Sequence, residues 1–550
     1  MDKQKNRGLL ISGLLVAMLF ASLDNTIVGT AMPRIVGELG GLGIMTWLTT
    51  AYMLSSTSVV PIAGKMADLI GRKTVYVTGL IIFMLGSALC GMAQSMTQLI
   101  FFRALQGIGG GVMMPMAMII IGDIFTGEQR AKWQGVFGAV FGLSSIIGPQ
   151  VGGWIVDASN WRWVFYINMP VGILAAILIA ISLKNRQQTG PVTFDIWGMF
   201  TMVAGVVSLL LALTFGGKNY PWLSWQILSL FALSAVFITG FILIEGRTKE
   251  PILPLRLFQN KTFSLLSAIG FLMSVGMFGA IMFVPLFMQG VVGISPSESG
   301  TVMVPMMLSM MAASMLGGRL VKMLGVRIQM IMGMVAMGVG FWLLSTMVME
   351  TTKYTTMGYM VILGLGIGLV MPLITIALQE SFPKSELGVV TSSSQFFRQI
   401  GGTFGMTILG AVMNYHSTIL LSQSLVPYLE QLPPQAHDMV VHFESMIETN
   451  PQGMYSMLLS PEALAQIPAA ISQTLLPILK VSMVESLHYV YRFGLLFVLL
   501  GAICTLFLGT IKLSTGQESD EKKRAGVHSR KRSSDGEIRF TATRPLSKRR

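Results

Sequence analysis

The sequence predicts an all-α polytopic membrane protein with about fourteen transmembrane helices, and three observations carry that expectation. Hydrophobic residues make up 53% of the chain and charged residues 11%, far below the ~25% charged of an ordinary soluble domain. Apolar runs of about 18 to 25 residues recur along it, each able to cross a ~30 Å hydrocarbon core as a helix. Basic residues cluster in alternate loops, the asymmetry that orients helices in a bilayer.

Six runs come first, near 9–32, 44–64, 74–93, 97–121, 133–155 and 163–183. Two more lie near 196–215 and 225–244, and a second six near 263–288, 298–321, 328–349, 355–378, 395–416 and 486–511. The first is too long for the apolar region of a secretory signal and has no small-residue cleavage site after it, so it reads as a mature span. Lys3, Lys5 and Arg7 precede it. Lys65, Arg72 and Lys73 follow the second run, Arg130 and Lys132 the fourth, and Lys184 and Arg186 the sixth. Arg247, Lys249, Arg256 and Lys261 follow the eighth, and Arg319, Lys322 and Arg327 the tenth. Both termini are then cytoplasmic, which requires an even number of spans. The expected organisation is a six-helix half over 1–190, a two-helix insert over 191–250, a second six-helix half over 251–511 and a basic tail over 512–550.

Two stretches are polar. Residues 417–484 carry Glu430, Asp438, Glu444, Glu448 and Glu462 against Lys480, with prolines and amphipathic patches such as 439–448. They are too polar to span and too apolar for a free linker; short helices on the outer face or at the lipid interface are expected. The tail reads as a disordered cytoplasmic segment that helps fix orientation, with attachment to anionic lipid or nucleic acid as the alternative. The net charge of +13 comes largely from this tail and the inner loops, so it does not argue for nucleic-acid binding.

Enzyme chemistry has no support. Cys90 and Cys504 lie within apolar runs and read as small core residues. His416, His437, His442, His488 and His528 fall outside the span centres and have no metal-ligand spacing. The glycine-rich run at 107–111 is followed by Val112 and sits inside a span, which excludes a phosphate loop. No metal, cofactor or ATP drive is expected.

Asp24 is the most informative residue. It lies in the first apolar run, 9–32, with no other charge. An ionised carboxylate at membrane depth costs at least ~2.5 kcal/mol. It escapes that cost by taking up a proton or by facing a watery cavity, and a carboxyl that does both suits a proton-driven transporter. Arg103, in the fourth run, either snorkels to the outer interface or faces the cavity. A cation near Asp24 would favour its ionised form and burial its neutral form, so movement between the two environments would load and release a proton. Small residues at 107/111, 138/142 and 148/152 are spaced for close helix packing, and Pro149 would bend the fifth span. Asn25, Gln106, Gln289, Gln379 and Arg398 are cavity candidates. Arg398 has an alternative as an arginine reaching the cytoplasmic interface, and Gln289 and Gln379 as helix-end caps.

The loop GKMADLIGRK (64–73) has an echo in GGRLVKMLGVR (317–327), each after the second span of a six-span unit. Paired halves of this kind place a substrate site between them and expose it alternately to either side. Residues Gly64, Lys65, Ala67, Asp68, Gly71, Arg72 and Lys73 resemble the loop signature of the major facilitator superfamily. Leu23, Asp24, Thr26, Ile27, Val28, Ala31 and Pro33 resemble its fourteen-span drug:proton antiporter branch of the EmrB/QacA type. Arg103, Gln106, Gly107, Gly109 and Gly111 are similar to that family's proton-relay helix. The stretch 142–153, with Gly148, Pro149, Gly152 and Gly153, is similar to its antiporter motif. The chain departs from the branch at Gly29, commonly Asn, and in the long 417–484 segment.

The resemblance implies a major facilitator fold and a proton-coupled multidrug antiporter working by alternating access. Asp24 and Arg103 would couple protons, and Asp68 with Arg72 would latch one state closed with Asp123 as partner. The implied partners are amphipathic, often cationic substrates, protons and the lipid bilayer of the cell membrane, with no nucleic acid and a monomeric state. The 43 methionines suit a pocket that repacks around varied apolar ligands, although lipid-facing filler accounts for them equally. An exporter of an endogenous lipid or amphiphilic metabolite is the alternative function.

Overall fold

Every long element in the structure, a computed structural model, is an α-helix, because the apolar runs leave no partner for backbone N–H and C=O groups except those within the same segment. It describes residues 2–41, 44–45, 47–125, 127–183, 193–217, 219–431, 437–449, 451, 454–455, 458, 469–509 and 511. The basic tail, Lys184 and Arg186 lie outside these residues, as do the side chains of Asn25 and Pro149.

The first group comprises α1 (Asp2–Leu39), α2 (Trp47–Ile70), α3 (Arg72–Met92), α4 (Met96–Ile124) and α5 (Gly127–Ala158), then the short α6 (Trp163–Tyr166) and α7 (Asn168–Ser182). Next come α8 (Ile196–Phe215) and α9 (Trp225–Glu245). The remainder is α10 (Arg256–Gln259), α11 (Lys261–Phe287), α12 (Pro296–Leu344), α13 (Lys353–Ser381), α14 (Leu387–Ser424), α15 (Val426–Leu429), α16 (His437–Thr449) and α17 (Ala469–Leu506). Starts are set by short polar side chains that accept from orphan backbone N–H groups: Ser95 before α4, Asp195 before α8, Ser224 before α9, Asn260 before α11 and Thr352 before α13. Among the described residues, eleven helices are long and apolar enough to cross a membrane. One of them, α12, is broken at Gly325, where φ is +79°. Gly71, between α2 and α3, has φ +95°. The two loops that echo each other in sequence therefore turn at a glycine in the same left-handed region, which side chains disfavour.

Glycines also decide which helices touch. On α4, a Cβ at Gly107 or Gly111 would strike the backbone of Tyr52 or Ser56 on α2, and one at Gly109 the backbone of Phe83 on α3. On α13 the arrangement recurs: Gly364 and Gly368 meet the Met306 and Met310 backbones before the break in α12, and Gly366 meets Met337 after it. In a bilayer, where apolar helices gain little by leaving lipid, such backbone approach supplies the packing. On α5, Gly148 and Gly152 likewise make room for Thr26 and Thr30 of α1. One apolar core fills the α11–α17 region, with two more among α1–α7; a fourth joins α8 and α9 to α2 and α14 through Leu54, Val60, Met202, Val206 and Phe396.

The 417–484 segment differs from expectation. Helix α14 continues past residue 416 to Ser424, and α17 begins at Ala469 rather than near 486. Its described short helix, α16, buries Phe443 and Ile447 in the core with Leu421, Leu425, Leu475 and Leu479, while Val441 and His442 stay outside. The amphipathic pattern is thus answered by the extended ends of α14 and α17, which offer an apolar surface closer than lipid.

Candidate functional site

Asp24 is 1% exposed and Arg103 is 1% exposed, and they meet at 2.6 Å between Oδ2 and a terminal guanidinium nitrogen. The other carboxylate oxygen, Oδ1, accepts from Gln106 Nε2 at 2.9 Å and from Asn168 Nδ2 at 2.8 Å. Arg103 also donates to Gln106 Oε1 at 2.7 Å and to the Leu48 carbonyl at 3.3 Å, and lies 4.4 Å above the Tyr52 ring. Asn168 donates to Ser87 Oγ at 3.0 Å, and Ser87 to the Phe165 carbonyl at 2.8 Å. Four helices, α1, α3, α4 and α7, thus converge on one carboxylate.

All three side chains that reach Asp24 donate to it, so its two carboxylate oxygens both act as acceptors here. Together they take up three of its roughly four lone-pair sites. Asp24 faces no watery cavity in this state; an ion pair and hydrogen bonds surround it instead. Likewise Arg103 does not snorkel. Asn168 and Ser87 were not singled out from sequence. Asn168 carried the same signal as Asp24, being the one amide in the run 163–183.

A second polar cluster closes the end of the bundle that carries the 64–73 loop. Asp68 Oδ1 pairs with Arg72 at 2.7 Å, and Arg72 Nε with Asp123 Oδ2 at 3.0 Å. Asp68 also accepts from the backbone N–H groups of Gly388 and Val389, at 3.2 and 2.9 Å. These sit in the first turn of α14, whose own N-cap Glu386 makes no side-chain capping bond. A carboxylate from α2 therefore caps α14 and meets the positive end of its dipole. Gly64 and Gly388 allow the approach, since a Cβ on either would strike the facing backbone or Ser392. Arg130 to Glu380 at 3.0 Å and Arg256 to Glu386 at 2.6 Å tie the same end.

Toward the opposite end lies a cavity of about 410 Å³, lined by Met32, Met53, Leu213, Trp222, Met282, Thr403 and Asn414 among others, with no charged side chain in its described lining. None of the cavity candidates Gln106, Gln289, Gln379 and Arg398 is among those residues. Gln106 is taken up by Asp24 and Arg103. Gln289 donates to Ser299 Oγ at 2.8 Å. Gln379 bridges helices instead of capping its own, donating to the Met118 carbonyl and to Thr391 Oγ1, both at 3.2 Å. Arg398 is 6% exposed and donates to Gln395. Because α14 starts at Leu387 rather than near 395, Arg398 lies roughly 16 Å along the helix from its start. Gly153 of the antiporter stretch has open space around it, unlike Gly148 and Gly152.

A family model described as Major Facilitator Superfamily matches residues 14–406. The chain belongs to the major facilitator superfamily. It is a multi-pass membrane transporter rather than an enzyme. It is similar to the multidrug transporter protein MdtP of Bacillus subtilis, 63% identical over 522 residues that cover 95% of this chain and 96% of the relative. It is also similar to multidrug resistance protein 3 of the same organism, 36% identical over 526 residues covering 94% and 98%. Among solved structures, the human organic anion transporter MFSD10 (TETRAN) shares the fold of this superfamily member with a TM-score of 0.56 over 90% of this chain and 99% of that one, at 11% identity.

Proposed function

We propose that the chain is a drug:proton antiporter of the fourteen-span branch, exporting amphipathic compounds from the cytoplasm by alternating access. The observation that carries this reading is the buried Asp24–Arg103 pair at 2.6 Å with its Gln106 and Asn168 donors. Such a site has two stable arrangements: the carboxylate paired as here, or protonated with Arg103 released to another acceptor. Coupling follows if the second arrangement accompanies rearrangement of α1 against α4.

The Asp68–α14 cap at one end and the cavity toward the other support a state closed on the cytoplasmic side and accessible from outside. The break in α12 at Gly325, together with α2 and α5, supports fourteen crossings with both termini cytoplasmic, and the recurring glycine pattern on α4 and α13 supports two related halves. The names of the two relatives support drugs as cargo. The uncharged lining of methionine, threonine and tryptophan supports amphipathic ligands; it offers no carboxylate for the cationic ones. The unit acts as a monomer in this reading.

Purified protein in liposomes provides the test. An imposed inward proton gradient drives uphill dye export by the wild type, and dissipating it with an uncoupler stops export. Uphill export that ignores the gradient overturns the antiport reading.

A further inference from the structure

Arg103 and Arg398 are both deep in helices, yet their surroundings differ. Arg103 has a carboxylate, an amide, a carbonyl and an aromatic ring. Arg398 has, among the described residues, the side chain of Gln395 on its own helix and no carboxylate within ion-pairing distance. One turn from Gln395 on α14, Gln399 keeps a buried side-chain oxygen with no partner. A buried guanidinium with no carboxylate partner among the described residues is an incomplete site, and the spare Gln399 oxygen is an acceptor that adds no donor for an anion.

Its position gives the ligand. Thr403, five residues further along α14, lines the 410 Å³ cavity, so Arg398 lies about 7.5 Å closer to the latched end by helix rise. Gln395 reaches across to Met114 of α4, at 3.6 Å, which places this face of α14 against the first group of helices. On another face of α14, Phe396 packs in one cluster with Leu54, which also lines the cavity. An apolar cavity on one face of α14 and a buried guanidinium nearer the latched end of the same helix together suit an amphiphile that bears an acid group, since a planar fork of donors matches a carboxylate or phosphate.

We infer that Arg398, with Gln395, is the anion-reading subsite of the transport pathway, and that its ligands are amphiphiles carrying a carboxylate or phosphate. The inference rests on the exporter reading for its biological use and narrows the substrate class. A neutral carbonyl accepts a weaker hydrogen bond from this guanidinium than an anion does, and a cationic head is repelled by it. The acid group could belong to a free amphiphilic solute or to a lipid headgroup, which share this chemistry.

Equilibrium binding to full-length purified protein in neutral detergent, at one pH and with no gradient, separates this inference from proton coupling. The fluorescent probes are 1-pyrenebutyric acid, its methyl ester and 1-pyrenebutylamine. Wild type is expected to bind the acid at least tenfold more tightly than the ester or the amine. Arg398→Gln brings acid and ester within twofold of each other while ester binding, the internal control for folding, is retained. Arg398→Lys keeps the charge without the fork and gives an intermediate ratio, so the inference stays testable if the glutamine variant is unstable. Displacement of the acid by phosphatidylglycerol but not phosphatidylcholine assigns the site to a lipid headgroup; resistance to both assigns it to a free amphiphilic acid. Equal wild-type binding of acid and ester, or an equal loss of both in Arg398→Gln and Arg398→Lys, overturns the inference even if gradient-driven export is intact.

Discussion

Asp68 and Val389 are 321 residues apart, yet the carboxylate of the first accepts the backbone N–H of the second at 2.9 Å. Because Arg72 holds the same carboxylate from α3, one acidic side chain fastens three helices at a single end of the bundle. The cap belongs to α14 but is encoded on α2, so α14 has its start satisfied only while this end is closed.

Asp68→Asn should therefore weaken closure rather than folding. A charged cap is worth roughly 0.5–2 kcal/mol, enough to move a two-state population by about two- to thirtyfold. Spin-label distances between the α2–α3 turn and the start of α14 should lengthen or broaden in the variant. Unchanged distributions would count against the latch.

Asp24→Asn should do two separable things. Leaving Arg103 buried without its anion costs ~3–5 kcal/mol, so the unfolding temperature falls. Combining it with Arg103→Gln removes both charges and should recover most of that stability. Neither variant should export uphill on a proton gradient. A double variant that regains both stability and gradient-driven export would deny the pair its coupling role.

Gly111→Ala and Gly368→Ala form a matched pair, one on α4 against Ser56 and one on α13 against Met310. Overpacking of this kind typically costs ~1–3 kcal/mol. Both are expected to lower thermal stability by similar amounts, whereas Gly410→Ala, with open space around it, should not. Thermal shift in detergent reads all three; a tolerated Gly368→Ala beside a damaging Gly111→Ala would break the parallel.

Phe443→Ala tests whether α16 is part of the folded core. Removing a buried phenylalanine costs about 3–5 kcal/mol, while His442→Ala on the exposed side should be near neutral. Proteolysis within 417–484 should accelerate for the first variant only. Equal sensitivity of the two would return α16 to the lipid interface.

Composition, run length and the alternation of basic loops sufficed for an all-helical membrane chain, because a bilayer leaves helix as the one way to satisfy an uninterrupted apolar backbone. Asp24, Arg103, Asp68, Arg72, Asp123 and Arg398 were legible for a related reason: a charge inside or beside an apolar run costs too much to be incidental. What each charge touches was not legible. Asn168 reaches Asp24 only because α7 packs beside α1, with Ser87 of α3 behind it, and the partner of Asp68 includes a pair of backbone N–H groups that no side chain announces. The amphipathic stretch 439–448 showed a face to be buried but not what would bury it. Hydrophobic periodicity is a local property, whereas hydrogen-bond partners, helix caps and the choice between lipid and protein as apolar neighbour depend on which segments are brought together. Local chemistry singled these residues out; the tertiary structure decided that, among the described residues, Arg103 meets a carboxylate and Arg398 does not.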